Sequence, residues 1–197
     1  MTESENATAT SLAHFVIDAR ASRFTVQAFA IGILSAMGHN PTIGIGKFSG
    51  DVDFSPDALE GRALRLSIDA ASLSVQDDIS DRDRREIERI MKEQVLEIAK
   101  YPDILYESSV ASIRKLGDNS FSATLSGTLS FHGVTRKEPV TVRVAVFGEM
   151  LRVSGDFTLR QSDYQVKPVV VAGGALKLKD ELKFSFEMVA RRKQDQA

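Results

Sequence analysis

The chain of 197 residues has no cysteine and no tryptophan. The first absence excludes a disulfide framework, a thiolate zinc site and a cysteine nucleophile together. There is no run approaching the roughly 20 apolar residues of a membrane span, so no integral membrane segment is expected. Charge of one sign is missing too. Twenty-five lysines and arginines face 27 carboxylates, for a net charge of −2, which gives no overall pull toward nucleic acid. The three histidines, His14, His39 and His132, never form an HxH or HExxH pair, so no metal site is expected. No GxSxG elbow marks a serine hydrolase. The run Gly44-Ile45-Gly46-Lys47-Phe48 fails as a phosphate loop, because Pro41 stands where its first glycine belongs and Phe48 where a hydroxyl belongs. The expectation is no catalytic residue, no metal and no cofactor other than a bound lipid.

What is present is the balance of a globular domain, 43% hydrophobic and 26% charged, with eleven phenylalanines. One domain is expected over residues 14–191. It lies between a polar, disordered tail (residues 1–13) and a short basic-ended tail (residues 192–197). The first residues carry Glu3 and Glu5 and no apolar run, so no secretory leader is read and a cytoplasmic protein is expected.

Period-two alternation dominates. Phe121, Ala123, Leu125, Gly127, Leu129 and Phe131 fall on one side of a run, with serines and threonines between them. Leu64, Leu66 and Ile68 alternate in the same way, as do Leu182, Phe184, Phe186 and Met188. Residues Val140 to Phe147 and Leu151 to Leu159 form two more strands joined at Gly148-Glu149. Phe24 to Ala30, Phe48 to Phe54 and Ile104 to Val110 are shorter candidates. Val166 to Leu178 reads as extended, interrupted by Pro168 and Gly173-Gly174.

One segment departs from this pattern. From Arg84 to Lys100, the apolar residues Ile87, Ile90, Met91, Val95 and Ile98 recur at helical spacing. Asp81 and Asp83 precede it as cap and dipole complement, and Tyr101-Pro102 ends it. An amphipathic helix over about residues 83–100 is expected. Eight or nine strands and one helix in a long connection point to a mainly β fold, an extended antiparallel barrel. Such a barrel either fills with side chains or holds one small ligand, and composition leaves the two open.

Read in order, several segments resemble the YceI-like family, lipocalin-like barrels that bind lipid or polyisoprenoid. His14-Phe15-Val16-Ile17-Asp18 resembles the family's first strand. Gly38-His39-Asn40, followed by Lys47-Phe48-Ser49-Gly50-Asp51-Val52-Asp53-Phe54, resembles its glycine-histidine and F-x-G-x-x-x-F stretch. Ile68-Asp69-Ala70-Ala71-Ser72-Leu73 is similar to its strand end, and Tyr101-Pro102-Asp103-Ile104 to its helix-to-strand junction. The segment Leu125 to Arg136 resembles its glycine hairpin, and Arg160-Gln161-Ser162-Asp163-Tyr164 its late r-x-s-d-y segment. The family's histidine before the helix is absent from Asp81-Arg82-Asp83-Arg84-Arg85. Many members are exported, which makes a periplasmic location the alternative.

The resemblance implies a non-enzymatic protein that binds, carries or sequesters a polyisoprenoid, isoprenoid quinone or fatty-acyl lipid inside the barrel. The expected apolar lining is Phe24, Val26, Phe48, Leu66, Ile68, Phe121, Leu125, Phe131, Phe157, Phe184 and Phe186. His39 and Asn40 are the expected headgroup contacts at the pocket mouth. The alternatives are an enzyme acting on a hydrophobic substrate with His39 as acid or base, and a ligand-free interaction domain presenting the helix. The expected partner is a small hydrophobic ligand, with the helix or an unpaired strand edge as the surface for a homodimer.

Overall fold

The structure is a computed structural model and describes residues 13–31, 40–54, 64–171 and 176–193. The expected N-terminal tail up to residue 12, and His39, lie outside the described residues.

The fold is mainly β, a closed eight-stranded antiparallel barrel with one helix of 15 residues. In chain order the strands are β1 (Ala13–Ile17), β2 (Arg23–Gln27), β3 (Ala30–Ile31), β4 (Thr42–Ile45), β5 (Phe48–Phe54), β6 (Leu64–Asp69) and β7 (Leu73–Val75). After the helix come β8 (Asp103–Gly117), β9 (Ser120–Phe131), β10 (Val134–Lys137), β11 (Val140–Phe147), β12 (Met150–Arg160), β13 (Val170–Val171), β14 (Leu176–Leu178) and β15 (Glu181–Arg192).

Eight runs close the barrel because three of them are interrupted. β1 and β2 both pair with β15, β1 also pairs with β5, and β2 with β4. β5 then pairs with β6, and β4 with β7. Each run is thus one long strand broken at a similar height: at Asp18–Ser22, at Gly46–Lys47 and at Ala70–Ser72. The circuit continues through β6, β8, β9, β11, β12 and β15. Closure removes the exposed sheet edge that would otherwise invite aggregation.

The breaks are stabilised locally. Asp18 accepts hydrogen bonds from the backbone N–H groups of Arg20 and Ala21, and Asp69 accepts one from Ala71. The Gly46 N–H donates to the Ser72 carbonyl and the Lys47 N–H to Ser72 Oγ. Gly50 lies where a Cβ would collide with the Arg65 carbonyl, so β5 and β6 can approach there only without a side chain.

The helix differs from its expected span. The α-helix α1 (Asp81–Ile90) passes into one wider π turn, Met91–Val95, and ends at Leu96. Ser80 is its cap: its Oγ accepts from the Asp83 N–H at 3.1 Å, and Asp81 and Asp83 occupy the first turn. The helix stops four residues before Lys100 because Glu97 takes a left-handed conformation, φ 46°. β8 runs seven residues past Val110, and among the described residues of Val166 to Leu178 β13 and β14 are paired strand. β13, β14 and β3 form a separate three-stranded sheet. The last strand includes Arg192, which pairs with Phe15.

Candidate ligand cavity

Inward positions of the barrel are apolar, as period two requires, but in the middle many are small. Ala123 on β9, Val142 and Val144 on β11 and Ala190 on β15 are buried and face inward with little bulk. The interior is consequently hollow. One cavity of about 760 Å³ is lined from every wall of the barrel and from the helix, within the range of small-molecule sites.

Of the residues expected to line such a space, Phe24, Val26, Leu66, Ile68, Leu125, Phe131, Phe157, Phe184 and Phe186 stand on its wall. Four of these form one aromatic panel. Phe157 and Phe184 stack with centroids 4.7 Å apart and planes 11° from parallel, while Phe24 meets Phe184 and Phe186 edge-on at 6.4 and 5.9 Å. Phe48 and Phe121 are corrections. Both are buried, but neither lies on the cavity wall. Phe48 packs edge-on to Phe24 at 6.3 Å and Phe121 to Phe54 at 6.2 Å, so each supports the wall from behind.

The helix contributes wall that the expected lining lacked. Ile87, Ile90, Met91, Val95 and Leu96 all face the cavity, alongside Ile43, Ile45, Leu73 and Val75 of the interrupted strands. An α-helix would carry Val95 and Leu96 around its circumference, and the π turn keeps both on the inner side. The helix is fastened to β7 by side chains. The Val75 N–H donates to Glu88 Oε1 at 3.0 Å, and the Arg84 guanidinium donates to the carbonyls of Val75 and Asp77. Its far end is fastened by His132, 9% exposed, whose Nε2 lies 2.8 Å from Glu97 Oε2 and whose Nδ1 lies 3.2 Å from the Tyr164 carbonyl.

Besides Ser108, Ser109 and Gln161 on the wall, polar residues gather at the cavity in two places. One is the rim, where Asp77, Asp78, Ser80 and Asp83 stand on the helix side and Lys177 on the β14 side. Asp78, Ser80, Asp83, Ile87 and Lys177 are exposed, which marks this rim as the mouth. The other is inside, where Tyr106 and Glu138 stand on the wall. The Tyr106 hydroxyl donates to the Glu138 carbonyl at 3.0 Å and the Tyr164 hydroxyl to the Glu138 carboxylate at 2.8 Å. Burial pushes the Tyr106 phenol up to about 12. It also raises Tyr164, with help from the Glu138 carboxylate beside it.

Asn40 is exposed, and its side-chain oxygen accepts from the Ala30 N–H at 2.9 Å, next to the cavity-lining Ala30 and Pro41. His14, unremarkable in the sequence, lies in β1 with Nδ1 2.8 Å from Asp53 Oδ1. Neither His14 nor His132 stands on the cavity wall. Among the described residues, no cluster of three or more histidines and carboxylates could hold a metal ion, and no helix is long and apolar enough to cross a membrane.

Residues 15–190 match the YceI-like domain. The chain belongs to the YceI-like family. Similar solved structures show the same fold. The crystal structure of Burkholderia cenocepacia BcnA has a TM-score of 0.64 at 21% identity, covering 88% of this chain and 98% of that one. A polyisoprenoid binding domain from Saccharophagus degradans, described as implicated in plant cell wall breakdown, has a TM-score of 0.67 at 16% identity. Its match covers 92% of this chain and 99% of that one. The YceI protein of Campylobacter jejuni has a TM-score of 0.58 at 17% identity, covering 80% and 88%. No curated protein sequence matches the chain. In this YceI-like chain, the family's glycine hairpin, Leu125 to Arg136, supplies both cavity wall (Leu125, Leu129, Phe131) and the histidine that holds the helix end.

Proposed function

We propose that this YceI-like protein binds a long apolar molecule inside the barrel and carries or sequesters it without covalent chemistry. The carrying observation is the cavity of about 760 Å³ walled by aliphatic and aromatic side chains. Moving each methylene out of water contributes about 0.8 kcal/mol, so a chain of about twenty carbons gains on the order of 16 kcal/mol gross. That exceeds most of the roughly 4–15 kcal/mol cost of association. An apolar chain needs shape and dryness, which the stacked Phe157–Phe184 panel and the helix provide. Polyisoprenoids, isoprenoid quinones and fatty-acyl lipids are the ligand classes of matching chemistry. The Saccharophagus degradans neighbour, a polyisoprenoid binding domain, supports the first of them.

Mass spectrometry of organic extracts from natively purified protein, followed by titration with an isoprenoid quinone, tests the reading. A stoichiometric lipid in the extract, or saturable quinone uptake by the emptied protein, is the expected result. Repeated extracts without lipid, together with no uptake, would end it.

A further inference from the structure

The three-stranded sheet outside the barrel lies at the mouth, and its two faces differ. Val169, Leu178 and Ala30 line the cavity. The neighbouring row runs Val170, Lys177 and Ile31 by register, one residue from each strand. Val170 is 55% exposed, the highest value among the exposed large hydrophobic residues of the described chain, and Lys177 is exposed. Lys167 and Lys179 flank the row, both exposed, with Lys179 Nζ 5.6 Å from the centroid of the half-buried Phe29 ring. None of the three lysines makes an ion pair among the described residues. The neighbouring acid, Asp180, is turned to Ser162, accepting from its N–H at 2.8 Å and its hydroxyl at 2.6 Å. In a chain of net charge −2, this lip of the mouth presents three exposed lysines around an exposed valine, with Asp180 attracting Lys177 from beyond ion-pair distance. The helix side of the mouth carries Asp77, Asp78 and Asp83.

We propose that the β3–β13–β14 lip docks the protein onto an anionic lipid bilayer, with Val170 and the rim of Phe29 entering the interface and Lys167, Lys177 and Lys179 meeting lipid phosphates. Lysine stems lie along apolar surface while their ammonium groups reach the headgroups. Each cation near such a surface strengthens binding about fivefold, and salt screens the effect. The acidic lip is repelled, so the barrel tilts with the sheet toward the lipid and α1 away from it. The cavity mouth then lies at the bilayer surface, where an apolar ligand can move between protein and lipid without crossing water.

Sedimentation of the full chain with vesicles of phosphatidylcholine alone, and of phosphatidylcholine mixed with phosphatidylglycerol, tests this. The expected result is binding to the mixed vesicles only, lost at high salt. It should weaken about fivefold for each of Lys167→Gln and Lys179→Gln, and fall sharply for Val170→Asp. Phe147, 54% exposed on the β11–β12 turn at the other end of the barrel, provides the control, and Phe147→Asp should bind as the parent does. Equal behaviour toward both vesicle types at low ionic strength would overturn the proposal. So would binding that survives the lip variants but is lost in Phe147→Asp, or self-association of the chain through Val170. Quinone uptake from solution is measured on the same variants. If uptake fails while anionic vesicles still bind, carriage falls and docking stands; if uptake holds and no vesicle binds, docking alone falls.

Discussion

His132 Nε2 sits 2.8 Å from a carboxylate oxygen of Glu97, the residue on which the helix ends. Its other ring nitrogen faces the Tyr164 carbonyl, which only accepts. These two contacts join the helix end, the β9–β10 turn and the short 3-10 turn at Gln161–Tyr164. His132→Ala should therefore lower unfolding stability by about 1–3 kcal/mol. Glu97→Ala should lower it by less, because the Glu97 side chain is 47% exposed. Chemical denaturation of both single variants and the double variant, read as a cycle, checks the coupling, and strictly additive losses would contradict it.

The fastening of α1 to β7 predicts a kinetic effect. Glu88→Ala leaves the Val75 N–H without its side-chain acceptor and should cost about 1 kcal/mol. Because α1 is cavity wall, bound quinone should leave faster in Glu88→Ala than in the parent chain. Stopped-flow displacement measures this, and an unchanged dissociation rate would count against the helix as a movable wall.

Hollowness makes an unusual prediction for a core substitution. Ala123 is 2% exposed and lies on the cavity wall. In a filled core, Ala123→Phe would overpack at about 1–3 kcal/mol. Here the ring has free volume to enter. The variant should keep its thermal midpoint within a few degrees, and quinone uptake should drop about tenfold or more. A large loss of stability would show that the interior is tighter than its lining implies.

Alkaline pH should act through Tyr106. An unfolded tyrosine ionises near about 10, whereas folded Tyr106 stays neutral to about 12. Above the lower value, the unfolded chain binds fewer protons than the folded one. Stability is therefore intact below about pH 10 and falls as pH rises toward 12, at up to about 1.4 kcal/mol per pH unit for this residue. Tyr164, raised in the same direction, steepens the slope. Denaturation at several alkaline pH values, with phenolate absorbance as second readout, checks it. Two tyrosines that titrate only on unfolding are expected.

Gly127 lies where a Cβ would run into the Tyr106 ring. Gly127→Ala should displace that ring, disturb the Tyr106 hydroxyl bond to the Glu138 carbonyl and cost about 1–3 kcal/mol. Its alkaline titration should begin at lower pH than that of the parent, and an unshifted titration would mean the ring accommodates the methyl.

Where one strand face is buried and the other wet, the pattern was plain in the sequence. Val140–Phe147 and Phe48–Phe54 have the same bounds in the structure as in their alternation. Beyond Val110, β8 carried no signal because nearly every residue from Ala111 to Gly117 is exposed, and without a buried face there is no period. The early helix end was hidden for another reason. The left-handed Glu97 on which it stops is bonded to His132, 35 positions away in the chain.

The cavity was legible as an inward apolar face but not in depth. Period two tells which way Phe48 and Phe121 point, and not whether another ring stands in front of them. Small residues at Ala123, Val142 and Ala190, which leave the interior open, read in the sequence as ordinary core. The rim acids Asp77 and Asp78 lie between β7 and the helix in sequence, and their place at the mouth depends on where β7 meets β4.

The three breaks at Asp18–Ser22, Gly46–Lys47 and Ala70–Ser72 act together like a crease scored part-way around a paper tube. In an uncreased tube, strand number and tilt fix one bore along the whole length. A crease whose own backbone groups are already bonded frees the two ends from having to share one bore. A difference in girth confined to one lobe leaves the seam between β15 and β1 stitched.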